Sequence, residues 1–121
     1  MKRATIEKTL STIYDKVFNE GQAELFPSLV ASPYIQHNPT LPNGPEAIVA
    51  YVRKVGRVPC EVKRIAIDGN FAFVHVHYHD WAGVPSAAVD IFRFNADGRV
   101  AEHWDVLQAI PASAQNTNTM F

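Results

Sequence analysis

The chain has 121 residues, of which 47% are hydrophobic, and it carries a formal net charge of −1. This length predicts one domain over residues 1–121, with enough apolar side chains for a core. The near-zero charge gives no basic field, so neither nucleic acid nor a membrane is an expected partner. A single cysteine excludes an internal disulfide, and no apolar run reaches the ~18 residues of a membrane span. Without a signal-peptide pattern, we expect a cytoplasmic protein.

The first half of the chain has the periodicity of helices. Apolar residues at three- and four-residue intervals predict a first helix that ends at Gly21; they are Ile6, Leu10, Ile13, Tyr14, Val17 and Phe18. A shorter helix is predicted over residues 23–30, where Pro27 interrupts or restarts it. Residues 32–44 contain too many prolines for regular structure, and a third helix then runs from Pro45 to Gly56.

After Pro59 the apolar residues alternate with a period of two, which predicts strands. These strands cover residues 61–68, 71–81, 86–94 and 99–110, with turns at Asp68-Gly69 and at residues 95–98. Three helices followed by four antiparallel strands define an α+β fold. We expect the sheet to curve around the helices and to leave a cavity.

One face of the second predicted strand combines two phenylalanines with three histidines: Phe71, Phe73, His75, His77 and His79. Imidazoles among aromatic rings are typical of a partly buried reactive or binding pocket. The alternative is an exposed edge strand on which the histidines are only polar surface residues.

Further candidate residues lie on the other strands and in the proline-rich loop. Asp90 shares a strand face with phenylalanines, which favours a protonated hydrogen-bond donor, or else a structural aspartate paired with Arg93 or Arg99. His103 and Asp105 lie on one face and could pair, so that the carboxylate orients the imidazole; an exposed polar face is the alternative.

The hydroxyl of Tyr14 points toward the interior from the first helix and could bind a ligand or a buried carbonyl. His37 and Asn38 lie in a loop whose prolines fix their side chains, which suits a binding site and a tight turn equally well.

Several motifs carry a resemblance to a known family. Residues 71–74, 89–95 and 98–100 resemble the ketosteroid isomerases of the nuclear-transport-factor-2-like (NTF2-like) superfamily. Segments Tyr34–Pro39, His75–His77, Asp90–Arg93 and Glu102–Gln108 resemble the SnoaL-like polyketide cyclases, in particular the predicted aldol-condensation enzymes. This resemblance implies a cone-shaped barrel in which three N-terminal helices pack on a curved antiparallel sheet.

The resemblance also implies roles for individual residues. Tyr14 and Asp90 match a pair that donates hydrogen bonds to a developing enolate, and Asp105 matches the acid/base aspartate of the cyclases. The isomerases hold their general base where this chain has Asn38, which argues against steroid isomerisation by the usual route. The likeness further implies that His75, His77, His103 and Leu107 line the cavity.

These observations predict an enzyme without a cofactor or metal that performs enolate chemistry on a small carbonyl compound: aldol cyclisation, isomerisation or dehydration. Asp105, or His103 oriented by it, would remove a proton, and Asp90 and Tyr14 would stabilise the enolate. Ligand-binding residues would be His37, Asn38, Phe73, His75, His77, Phe92 and Leu107. The alternatives are a non-catalytic binding module and a zinc or iron site at His75, His77 and His79, completed by Asp90 or His103.

The other side of the predicted sheet is strongly apolar. We expect it to carry Val74, Val76, Tyr78, Val89, Ile91, Trp104 and Val106. An apolar area of this size is unfavourable in water, so the sequence predicts a homodimer formed through the outer sheet face.

Overall fold

The computed structural model describes residues 1–121 and begins with one long helical rod. Helix α1 spans Arg3–Ser11 and continues directly into a π-helical segment, Thr12–Asn19. The predicted apolar stripe is confirmed, because all six of its residues are buried. Gly21 ends the rod with a φ of 74°, and a Cβ there would collide with the carbonyl oxygen of Gly56. Glycine is therefore required by both the backbone angle and the close approach.

Two shorter helices complete the helical layer. A 3₁₀ turn, Ala23–Leu25, leads into α2, Phe26–Leu29, which has Pro27 in its first turn. Helix α3 spans Glu46–Val55, with Pro45 at its N-cap and Gly56 at its C-cap. None of the helices has the length and apolar character that a membrane crossing demands.

The sheet has five strands: β1 Val30–Gln36, β2 Cys60–Asp68, β3 Phe71–Trp81, β4 Val84–Phe94 and β5 Val100–Ala109. Their spatial order is β1-β5-β4-β3-β2, so β1 and β2 are edges and the sheet is not closed. Strand β1 pairs parallel with β5, and every other pairing is antiparallel. The α+β fold and the four predicted strands are confirmed.

Strand β1 was not predicted, and it separates α2 from α3, so the helices do not all precede the sheet. Its segment contains Pro33, which cannot donate a hydrogen bond within a sheet. At an edge one side of the strand needs no partner, and proline is tolerated there. The prolines of residues 32–44 therefore led to a prediction of irregular structure where the end of strand β1 lies.

The helices cover one face of the sheet, and the orientation of β3 is the reverse of the predicted one. Ala72, Val74, Val76 and Tyr78 are buried against the helices, whereas the histidine-bearing face points outward. Alternation defines the two faces of a strand but not which of them meets the core. Burial of the apolar valine face is favourable, whereas burial of three imidazoles costs free energy. The valine face therefore packs against the helices.

Candidate active site

Asp90 is the centre of a buried hydrogen-bond network on β4. The residue is only 3% exposed, and its Oδ2 atom accepts hydrogen bonds from the hydroxyls of Tyr14 and Tyr78, each at 2.6 Å. The Oδ1 atom lies 3.0 Å from Nε2 of His103. Three partners therefore compensate the burial of this carboxylate. The predicted alternative of an ion pair with Arg93 or Arg99 is wrong, because Arg93 binds Glu102 instead.

The hydrogen bonds around His103 define its protonation. Gln36 Oε1 accepts from the backbone N–H of Asn38, which identifies that atom as the amide oxygen. His103 Nδ1 lies 2.7 Å from the same oxygen and must donate to it. Since both tyrosines already donate to Asp90 Oδ2, the carboxylate form of Asp90 is favoured, and His103 Nε2 then also donates. The arrangement favours an imidazolium held by a carboxylate.

Asp105 lies on β5 beside Asp90, and its carboxylate is held by a different residue. Asn38 Nδ2 donates to both oxygens of Asp105, at 3.0 and 2.9 Å. Asn38 Oδ1 in turn accepts from the backbone and the hydroxyl of Thr40, which fixes the direction of the amide. Burial raises the pKa of Asp105 above its ordinary value, although the Asn38 hydrogen bonds and the nearby His103 act in the opposite direction.

These carboxylates border a narrow cavity between the helices and the sheet. Its walls are mainly apolar and comprise Ile13, Phe18, Phe26, Tyr34, Gln36, Leu41, Ile48, Tyr78, Trp81, Asp90, Phe92, His103, Asp105 and Leu107. The space open to the centres of water molecules is about 30 Å³. This corresponds to about two water molecules, so the cavity accommodates a small compound or must widen for a larger one.

Two tyrosines of the cavity were not among the predicted site residues. Tyr78 lies on the inner face of β3, and it was missed because the predicted orientation of that strand placed it on the outer face. Tyr34 belongs to β1, and its hydroxyl accepts a hydrogen bond of 3.4 Å from Gln36 Nε2, which leaves its own proton available to a ligand. Burial and the charges of Asp90 and Asp105 raise the pKa of Tyr34, which keeps the phenol protonated.

The predicted residues of β4 and β5 lie together on the cavity wall, and two contacts differ from the prediction. Phe92, His103, Asp105, Asp90 and Leu107 all line the cavity. Tyr14 does not line it, because its hydroxyl is occupied by Asp90. Asp105 does not orient His103, since Asp90 and Gln36 do so and Asp105 binds Asn38.

Four predicted ligand-binding residues lie away from the cavity, so their expected position is wrong. Phe73, His75 and His77 are on the outer face of β3. Val74 is the residue of β3 that pairs with the inward-facing Asp90, and side chains alternate along a strand, so these three residues face outward. His37 also lies outside, where its ring stacks on Trp104 and its Nε2 lies 2.7 Å from Glu102 Oε2. Asn38 is only 4% exposed and reaches the cavity through Asp105.

The predicted metal ligands lie on opposite faces of the sheet. His75, His77 and His79 face outward, while Asp90 and His103 face the cavity, so the proposed combined set cannot form. Asp90, His103 and Asp105 by themselves have ligand atoms within 4.8 Å of one another. All three are already engaged in hydrogen bonds, Asp90 and His103 with each other and Asp105 with Asn38.

Family and structural comparisons agree with this architecture. A family model for the SnoaL-like domain matches residues 11–103. This is more than half of the chain, which therefore belongs to the SnoaL-like domain family. The resemblance stated from the sequence motifs is confirmed. No curated protein matches the sequence.

Solved structures show the same fold at low sequence identity. TsrD from Streptomyces laurentii is 20% identical with a TM-score of 0.72, and the match covers 88% of this chain and 90% of TsrD. An NTF-2-like protein of unknown function from Burkholderia xenovorans is 17% identical with a TM-score of 0.75, over 95% and 91% of the two chains. IdmH from Streptomyces antibioticus, a candidate polyketide cyclase, is 20% identical with a TM-score of 0.63, over 84% and 91%.

Proposed function

We propose that this protein is an enzyme that needs no cofactor and removes a proton next to the carbonyl group of a small compound. The observation that carries the proposal is Asp105, a half-buried carboxylate on the wall of an apolar cavity, held through both oxygens by Asn38. Enolate formation is the step shared by aldol cyclisation, isomerisation and dehydration. The proposal therefore covers these three reactions, in keeping with the candidate polyketide cyclase among the structural neighbours.

Asp105 is suited to act as the general base. Burial raises its pKa, and a base is more effective when its pKa approaches the working pH. Asn38 fixes the orientation of the carboxylate without removing its charge, because the amide is a neutral donor. Asn38 is then a positioning residue, which accounts for an amide at the position where the isomerases carry their base.

The negative charge that develops on the carbonyl oxygen during proton removal needs hydrogen-bond donors on the same cavity wall. Tyr34 is suited to this role because its hydroxyl proton is available and its raised pKa keeps it protonated. His103 lines the same cavity, and its two ring nitrogens are held by Gln36 and Asp90. A single well-placed donor typically supplies about 3–4 kcal/mol of transition-state stabilisation. In this mechanism Asp90, Tyr14 and Tyr78 keep His103 charged and oriented.

The test measures the shared proton-transfer step directly. The protein is incubated in D₂O with a panel of small ketones and β-dicarbonyl compounds, and loss of the α-proton signal is followed by NMR. Asp105→Asn is the matched variant, because it keeps the shape of the side chain and removes the base. We expect proton exchange to be about 10²–10⁴-fold slower in the variant, because this is the usual contribution of a general base.

Equal exchange rates for the wild type and Asp105→Asn across the whole panel would overturn the enzymatic proposal. If the same compounds nevertheless raise the melting temperature, the protein is a non-catalytic binding module, which is the alternative function. Tyr34→Phe tests the hydrogen-bond donor separately from the base. This variant should exchange protons more slowly, and the acid limb of its pH profile, which reports Asp105, should stay in place.

A further inference from the structure

A second cluster of ligating side chains lies on the outer face of the sheet, away from the cavity. It consists of Glu61 on β2 and of His77 and His79 on β3. Glu61 is the direct cross-strand partner of His77, and His79 is two residues further along on the same face. Antiparallel pairing therefore brings three side chains with metal-binding chemistry to one point at the edge of the sheet.

The three side chains are already close together. Glu61 Oε1 lies 2.9 Å from His79 Nε2, and the imidazole centroids of His77 and His79 are 4.2 Å apart. One ligand atom from each residue can be chosen so that all three lie within 4.8 Å of one another. Ligands ~2.1 Å from a tetrahedral zinc ion are about 3.4 Å apart, so small rotations of half-exposed side chains close the set.

From this arrangement we infer that Glu61, His77 and His79 form a binding site for a divalent transition-metal ion of the zinc type. Two imidazoles and one carboxylate are ligands that Zn²⁺ accepts, and three protein ligands leave a fourth position for water. The site is separate from the proposed active site, since its side chains point to the opposite face of the sheet.

Neighbouring residues support the site by holding its ligands. The ring of Phe121 stacks on the ring of His77 at a centroid distance of 4.3 Å and an angle of 16°. This contact covers one face of the imidazole and leaves the nitrogen atoms, which bind metal in the ring plane, unobstructed. Lys63 Nζ lies 3.0 Å from Glu61 Oε2, so one carboxylate oxygen of Glu61 binds Lys63 and the other contacts His79.

Substitution of Lys63 provides a test in which the affinity for zinc should increase. Its positive charge lies next to a metal-binding carboxylate and opposes the binding of a cation. Because the cluster is open to solvent, the effect is screened, and we expect Lys63→Gln to strengthen zinc binding by about three- to fivefold. Unspecific zinc binding to scattered surface histidines would not respond to this change.

The experiment is a calorimetric titration of the untagged, metal-stripped full chain with Zn²⁺. We expect saturable binding of one zinc ion per chain. His77→Ala and His79→Ala should each weaken it by at least about tenfold, since even groups that only support a metal ligand contribute about 10–100-fold. His75→Ala is the matched control, because His75 lies on the same strand face but outside the cluster, and it should leave the affinity unchanged.

Three outcomes would overturn the inference: no saturable binding, unchanged affinity in the His77 and His79 variants, or an equal loss in His75→Ala. A loss in Asp105→Asn instead would assign the zinc to the cavity cluster and would also refute the outer site. All substituted side chains are at least partly exposed, and circular dichroism of each variant checks its fold. The result does not depend on whether the proposed carbonyl chemistry is found.

Discussion

The imidazole of His103 and the carboxylate of Asp90 form a buried pair between neighbouring strands, with Nε2 3.0 Å from Oδ1. Asp90 is directly opposite Asp105 in the sheet, and His103 is opposite Phe92, so the two partners meet diagonally. Tyr14 and Tyr78 donate to the other oxygen of Asp90. The pair thus places the imidazole ring on the cavity wall, while the carboxylate behind it is enclosed by hydrogen bonds.

An ion pair between Asp90 and His103 predicts that Asp90→Asn is strongly destabilising, because His103 then loses its counter-ion and must give up its proton. Removing one partner of a buried ion pair typically costs about 3–5 kcal/mol. We expect a loss of this size in the free energy of unfolding, measured by urea denaturation. The nitrogen chemical shifts of His103 should change from those of an imidazolium to those of a neutral ring.

The control for this substitution is Arg93→Gln, which breaks a pair on the outer face. Arg93 Nε lies 2.9 Å from Glu102 Oε1, and both side chains are partly open to solvent. Exposed pairs contribute about 1 kcal/mol or less, so this variant should remain close to the wild type. Equal effects of the two substitutions would contradict a charged pair between Asp90 and His103.

Alternation along the strands was sufficient to predict which residues of the candidate site share a strand face. Asp90, Phe92, His103, Asp105 and Leu107 were assigned to shared strand faces, and antiparallel pairing of β4 with β5 brings these faces together. The shared faces follow from the period of two and the adjacency of consecutive strands, whereas the position of these faces toward the cavity was implied by the family resemblance.

The rest of the site depends on contacts that no local pattern reveals. Tyr34 and Gln36 reach the cavity because β1 pairs in parallel with the last strand, across more than sixty residues of chain. Their segment was predicted to be irregular, so neither side chain was assigned a face. His75 and His77 were placed in the cavity because periodicity alone cannot say which face of β3 meets the helices.

The proposed reaction should show a displaced acid limb in its pH profile. Asp105 must be ionised to accept a proton, and burial raises its pKa above the ordinary value of 3.8. The acid limb of kcat/KM should therefore lie above pH 3.8, and it should disappear in any residual activity of Asp105→Asn. A limb at or below the ordinary value would contradict the role of Asp105.

The same shift has a defined sign for stability. The folded state binds the Asp105 proton more tightly than the unfolded state does, so protonation stabilises the fold. This contribution is complete below the unfolded pKa and is lost as the pH rises through the folded pKa. Asp105→Asn should remove it, and denaturation series across the acid range would detect a flatter dependence on pH.

Gly21→Ala should destabilise the fold by roughly 2–4 kcal/mol, because it combines backbone strain with a steric collision. Gly21 has a φ of 74°, and an added Cβ would meet the carbonyl oxygen of Gly56. Gly69→Ala separates the two effects, since Gly69 has a φ of 60° and no atom within 4 Å of an added Cβ. It should cost only about 1 kcal/mol, the strain of a left-handed residue. Equal melting temperatures of the two variants would refute the collision.

We further propose that two copies pair through the outer sheet face, although some of its residues differ from those that the sequence pattern predicts. Val74, Val76 and Tyr78 are buried in the core, whereas Val89, Val106 and Phe73 are 37%, 69% and 39% exposed on the outside. Exposed apolar side chains on one sheet favour association. Val106→Glu places a charge within this surface and should shift the protein to a monomer in sedimentation at micromolar concentration.

Val55→Glu is the matched control, because Val55 is 46% exposed but lies at the end of α3, away from the sheet surface. It adds the same charge and should leave the association unchanged. Sedimentation of the wild type as a monomer would refute pairing outright. Dissociation by both substitutions would instead attribute the effect to net charge, since each variant becomes more negative by one unit.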